Sequence, residues 1–166
     1  MLSNKMIQWV NHDMGKCGGL FPARAFIVPE LAAWWRVRDR LTLAAMRARI
    51  TKDFRFEAAH TLPSLPEDHK CRRMHGHSFK VEISIDGEVD ETVGWVYDHK
   101  RISQAMAPLL DQLDHGYLND IEGLESPTIE RMAAWFWRKL EKDLPGLAEI
   151  VIYETPTARC SFRGEF

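Results

Sequence analysis

HGHSFKVEISID, residues 75–86, alternates without a break. Phe79, Val81, Ile83 and Ile85 are apolar, and Lys80, Glu82, Ser84 and Asp86 between them are polar or charged. A period of two is the pattern of a strand with one buried face. His75 and His77 share the parity of the apolar set, so both imidazoles project to the inward face. Gly76 between them lets another backbone approach or the strand bend. Upstream, Ile50, Phe54, Phe56 and Ala58 fall on even positions of a second alternating stretch that ends near His60. His60 is on the face of that apolar set. If the two strands pair antiparallel, the end of the first lies beside the start of the second, and three imidazoles converge at one end of an apolar face. Three neutral nitrogen ligands with a fourth position open form a catalytic zinc arrangement. The plainer alternative is three ordinary polar residues at strand ends.

Outward from this pair, Pro63, Pro66 and several charges mark residues 61–74 as a loop. Gly87 to Gly94 reads as a turn or a strand continued around a bend. Ile102, Ala105, Met106, Leu109, Leu110 and Leu113 keep helical spacing, with Pro108 expected to kink or split that helix. Ser126 as N-cap and Pro127 in the first turn predict a second helix, burying Ile129, Met132, Ala133, Phe136, Trp137 and Leu140. Strands over 148–155 and 158–162 close the chain. The order β-β-α-α-β-β gives an α+β fold, a four-stranded antiparallel sheet with two helices on one face.

The chain has 166 residues, the size of one domain, and a domain of that size buries roughly 70% of its unfolded surface. With 45% hydrophobic and 28% charged residues, disorder, collagen and membrane spans are excluded. A net charge of −2 gives no support to nucleic acid as a partner. Cys17, Cys71 and Cys160 are too few and too scattered for a disulfide framework, which fits a cytoplasmic setting. Residues 1–46 are a region apart: they carry net +3, leaving −5 for the rest, and hold Trp9, Trp34 and Trp35. Their most apolar stretch, 25–35, is broken by Pro29 and Glu30 and is too short to span a bilayer. They lack the order of a secretory signal. Residues 31–46 could form a helix packing on the main body. The segment, which carries no recognisable chemistry, is either a real appendage or an upstream start-site artefact, and the working domain is expected over 47–166.

Cys71 lies four residues before His75. It is either a fourth ligand, which would make the site structural, or a thiolate beside the metal, favoured by Lys70, Arg72, Arg73 or the ion. Asp114 and His115 follow the first helix as a possible proton-relay pair. Glu154 shares strand parity with Ile150 and Ile152, so a carboxylate stands where an inward apolar residue is expected. A buried carboxylate needs a partner. That partner is either a nearby Arg or Lys or the paired N–H edge of a guanidine-like heterocycle.

FRFEAAH (54–60), CRRMHGHSFKVE (71–82), GWVYDH (94–99), LDHGYLND (113–120), SPTIE (126–130) and YETPT (153–157) occur together and in order. Over residues 48–166 the chain resembles the 6-pyruvoyl-tetrahydropterin synthase family. The C-x3-H-G-H spacing favours its carboxy-forming branch, which serves queuosine biosynthesis. The resemblance implies a tunnelling fold (T-fold), with trimers stacked into a homohexamer. It implies that His60, His75 and His77 bind zinc and that Cys71 is the base removing a substrate side-chain proton. It further implies that His115 with Asp114 and Glu154 complete the relay, Glu154 also anchoring the pterin and Thr128 touching it. Arg131 stands where the family commonly has Asn. The implied reaction converts 7,8-dihydroneopterin triphosphate to 6-carboxytetrahydropterin, releasing acetaldehyde and triphosphate. The retained-side-chain reaction of the pyruvoyl branch and a non-catalytic zinc-stabilised oligomer are the rival readings.

Overall fold

The computed structural model describes residues 46–166. The two alternating stretches form long strands, β1 (Arg47–His60) and β2 (His75–Glu88), paired antiparallel along their whole length. The register sets Phe56 opposite Phe79 and His60 opposite His75. It satisfies both hydrophobic patterns at once, because a slip by one residue would turn every apolar side chain outward. Phe56 and Phe79 stack with ring centroids 5.1 Å apart. After β2 come α1 (His99–Leu113), β3 (Gly116–Tyr117), α2 (Ile129–Leu140), β4 (Leu147–Thr155) and β5 (Ala158–Phe162). The sheet order is β3-β1-β2-β4-β5.

The α+β class and the antiparallel β1-β2-β4-β5 body are as expected from the sequence. The sheet has one strand more, because β3 adds a two-residue parallel pairing to Ala58 and Ala59 of β1. So short a strand has no periodicity to read. α1 lies against β1, and α2 lies across β4 and β5. Ile102, Met106 and Leu113 from α1 and Met132, Ala133, Phe136 and Leu140 from α2 are buried against Phe79, Val81, Ile83, Ile150 and Ile152. Each of the larger side chains contributes about 1.5–3 kcal/mol of burial, and together they hold the sheet against which the site is built.

Three local expectations are adjusted. Pro108 is accommodated inside α1, which runs unbroken from His99 to Leu113. The N-cap of α2 is Thr128 rather than Ser126: its hydroxyl accepts from the Arg131 amide at 3.4 Å, and Ser126 is buried. Thr128 still has extended backbone (φ −73°, ψ 159°), so Pro127 precedes the cap instead of opening the first turn. Trp135 joins the buried set because its indole N–H reaches the Glu122 carbonyl at 3.0 Å. At the β2–β4 irregularity, Gly146 has φ +86°, and a Cβ there would stand 2.7 Å from the Asp86 carbonyl oxygen. Only glycine fits both constraints. The expected helix over 31–46 lies outside the described residues except for Met46.

Candidate metal and active site

The apolar face of the sheet ends in imidazoles. His60 closes β1 and His75 opens β2 directly opposite, while His77 pairs across from Ala58. Their ring centroids lie 4.5, 5.2 and 5.1 Å apart, and one ligand nitrogen from each falls within 4.8 Å of the others. Among the described residues, this is the one group of histidine, cysteine or carboxylate side chains able to hold a metal ion. Phe79 touches both His60 and His77 edge-on, at 5.8 and 5.5 Å, so the last apolar layer fixes two of the rings.

Backbone carbonyls orient two of these rings. His60 Nδ1 donates to the Pro127 carbonyl at 3.0 Å, and His75 Nδ1 donates to the Arg73 carbonyl at 2.7 Å. A carbonyl can only accept, so Nδ1 carries the proton in both and Nε2 offers its lone pair inward. That is the arrangement that orients histidine ligands in metal sites. His60 is fully buried, and its Nε2 has no hydrogen-bond partner among the described residues. Such an atom costs free energy unless something binds it. Burial pushes the His60 imidazole below its usual pKa, with the neighbouring His75 and His77 acting in the same direction; the Pro127 hydrogen bond and Glu154 oppose this. A neutral ring with an inward lone pair and no protein partner is what a cation requires. The residues present therefore fit a metal ion.

Glu154, on the last turn of inward parity in β4, joins this end. Its Oε1 lies 3.6 Å from His60 Nε2 and 3.8 Å from His77 Nε2. The side chain is 25% exposed rather than buried. Among the described residues the ionisable groups within 4 Å of its carboxylate are imidazoles, and it opens into a cleft of about 680 Å³ that His77, Arg55, Lys80 and Tyr153 also line. A pair of carboxylate oxygens at a cleft beside a metal site suits a ligand with parallel N–H donors.

Cys71 stands outside the three-histidine group, on a 3-10 turn at Lys70–Arg72 in the β1–β2 loop, partly exposed. That position departs from a closed four-ligand site. Asp114 and His115 sit at the other margin. His115 has φ +59°, and its amide donates to the Glu57 carbonyl at 2.6 Å while the Glu57 amide donates to Asp114 Oδ1 at 2.9 Å. These two bonds moor the pair to the outer edge of β1 and extend into β3. Asp114 Oδ2 lies 3.0 Å from His115 Nδ1, and the Glu57 amide holds the Asp114 carboxyl below the usual carboxylate range, with His115 helping. The imidazole is 78% exposed and lines a second cleft of about 380 Å³ with Glu57, Gly76 and His77. His77 is thus common to both clefts. Thr128 is placed at the head of α2, next to the Pro127 carbonyl that orients His60, and Arg131 lies one turn later, exposed.

Asn119 was given no task by its sequence context. Its side chain brackets Thr61, accepting from the Thr61 amide at 2.9 Å and donating to the Thr61 carbonyl at 2.9 Å. It fixes the chain just after His60. The spacing of 58 residues carries no local signal, although Asn119 does lie within the LDHGYLND run.

The family model described as 6-pyruvoyl tetrahydropterin synthase matches residues 49–165. A Synechocystis protein named 6-carboxy-5,6,7,8-tetrahydropterin synthase is 43% identical over 119 residues, covering 68% of this chain and 91% of the relative. A Pyrococcus furiosus protein named dihydroneopterin monophosphate aldolase is 33% identical over 101 residues, covering 61% and 82%. The solved structure of Caenorhabditis elegans 6-pyruvoyl tetrahydropterin synthase superposes with a TM-score of 0.67 at 29% identity, over 72% of this chain and 97% of that one.

Proposed function

From the premise that the chain belongs to the 6-pyruvoyl tetrahydropterin synthase family, we propose that it converts 7,8-dihydroneopterin triphosphate to 6-carboxy-5,6,7,8-tetrahydropterin, with release of acetaldehyde and triphosphate. The observation that carries this reading is the convergence of His60, His75 and His77 at the sheet end with the Glu154 carboxylate beside them. Its place in 7-deazaguanine and queuosine biosynthesis follows from the product. The 43% identity to a relative of that name supports the carboxy branch.

We assign the metal as zinc, held by the three imidazoles, since a neutral nitrogen set with an open position suits it. Bound there, zinc would act as a Lewis acid toward the side-chain oxygens of the substrate. Glu154 presents two acceptor oxygens to the N–H edge of the pterin, which turns the side chain toward the imidazoles. Thr128 offers its hydroxyl on the same side. Cys71 accepts the proton from the activated side-chain carbon as a thiolate. His115 holds and returns a proton, and the anionic Asp114 stabilises its charged form. The cation-bearing loop at Lys70, Arg72 and Arg73 favours the departing triphosphate.

We place this activity in residues 47–166, in the cytoplasm and in a homohexamer of two trimers. The oligomer is supported by sheet edges: among the described residues, β5 has a free side, and β3 covers β1 only at Ala58 and Ala59. Unpaired strand edges invite further strands.

The deciding experiment is incubation of the zinc-loaded protein with dihydroneopterin triphosphate, followed by product identification. Acetaldehyde together with the 6-carboxy product is the expected result. A retained three-carbon side chain would give the pyruvoyl reaction instead. A hydroxymethyl product would move the chain toward the aldolase chemistry in the name of its Pyrococcus relative.

A further inference from the structure

Cys71 differs from the histidines in its support. The three rings stand on paired strands, whereas the cysteine stands in a loop and depends on local bonds for its place. Its carbonyl accepts from the Leu62 amide at 2.9 Å. Its own amide donates to His69 Nδ1 at 3.1 Å. His69 has extended backbone (φ −70°, ψ 131°) and precedes the turn Lys70–Arg72, so its ring nitrogen takes the place usually filled by the oxygen of Ser, Thr, Asp or Asn in an N-cap. Arg72 ties the first half of the loop to the same turn, donating to the Pro63 carbonyl at 3.2 Å and the Leu65 carbonyl at 2.7 Å. On the far side, the Arg73 carbonyl orients the ring of His75. The segment from His69 to His75 thus connects the cysteine backbone to a metal ligand through one short, hydrogen-bonded path.

The geometry points to His69 as a positioning residue that holds the Cys71 backbone, and with it the thiol, in the turn that leads into the His75 strand. This inference rests on the reading of Cys71 as the base. Without the imidazole acceptor, the Cys71 amide turns to water, the turn gains conformational freedom, and the fraction of molecules with the thiol in place falls. The ring does this through a single lone pair, so any side chain that presents an acceptor to the second amide after it can replace it. Asparagine is such a residue.

The test uses the full-length zinc-loaded protein in three forms: wild type, His69→Ala and His69→Asn. A lost cap lowers the equilibrium constant for the held turn roughly fivefold. His69→Ala should therefore lower kcat by up to about fivefold, with KM and zinc content unchanged, and His69→Asn should restore most of it. Amide hydrogen exchange at Cys71, read by mass spectrometry or NMR, should be protected in wild type and in His69→Asn but fast in His69→Ala. A merely structural role for His69 would instead move thermal stability and zinc content along with kcat. Wild-type kcat in His69→Ala overturns the inference. So does an asparagine variant that regains Cys71 protection yet stays as slow as the alanine variant. The exchange pattern does not depend on turnover. If Cys71→Ala kept full activity, the base assignment would fall, and exchange alone would still decide whether His69 holds the Cys71 backbone.

Discussion

The protein contains two histidine groups of opposite character. His60, His75 and His77 lie on the helix-covered face, where His60 is fully buried and Phe79 packs against two of the rings. Asp114 and His115 lie at the outer edge of β1, where the imidazole is 78% exposed. The first group is held by a paired register and by carbonyls that fix the tautomers of His60 and His75; the second is held by two backbone bonds to Glu57. Burial holds the His60 ring below its usual pKa and leaves its lone pair facing inward. On the proposed reading, one fold draws metal ligation and proton transfer from the same residue type by changing the solvent around it.

The most severe way to break the first group is His75→Ala, which should remove metal and all measurable turnover together. Metal analysis beside the product assay checks this, and full zinc retention would sink the ligand assignment. Cys71→Ala should separate metal from chemistry. Zinc stays near stoichiometric while kcat falls by on the order of 10²–10⁴, the usual contribution of a general base. Loss of the ion in this variant would mean a structural four-ligand site instead. Asp114→Asn sharpens the contrast from the exposed side. It keeps an acceptor for the Glu57 amide but withdraws the charge facing His115; because the pair is exposed to water, kcat should fall by only about two- to fivefold, the worth of a solvent-screened ion pair. Metal content should be unaffected.

The smallest effect is on stability against pH. A buried His60 with its pKa lowered binds fewer protons folded than unfolded, so stability rises with pH. On acidification the loss should begin near the unfolded value of about 6.5 and continue down to the depressed folded value. Asp114, also lowered, has the same sign but acts at more acidic pH, its contribution disappearing as pH falls through its depressed value. Thermal melts of metal-free protein from neutral to mildly acid pH should show the His60 limb, and His60→Gln should flatten it. An unchanged slope in that variant would place the titration elsewhere.

Much of this was legible in residue order. The alternation in 50–60 and 75–86 determined both strands and the inward parity of His60, His75 and His77; the antiparallel pairing that joins them was the condition on which their convergence rested, and the register meets it. Local period suffices for the faces, because a strand's two sides are distinguished every second residue and a slip by one residue would turn both apolar sets outward. The parity of Glu154 likewise put a carboxylate on the inward side of β4. Tertiary structure alone decided the rest. It set Glu154 within 3.6 Å of His60, gave the Pro127 carbonyl to the His60 ring, and tied Asp114 to Glu57 across 57 residues. It moved the α2 cap to Thr128 and gave His69 to the Cys71 amide. These are single hydrogen bonds between elements or within an irregular loop. They repeat with no period, so the sequence holds the donors and acceptors while the packed sheet chooses the partners.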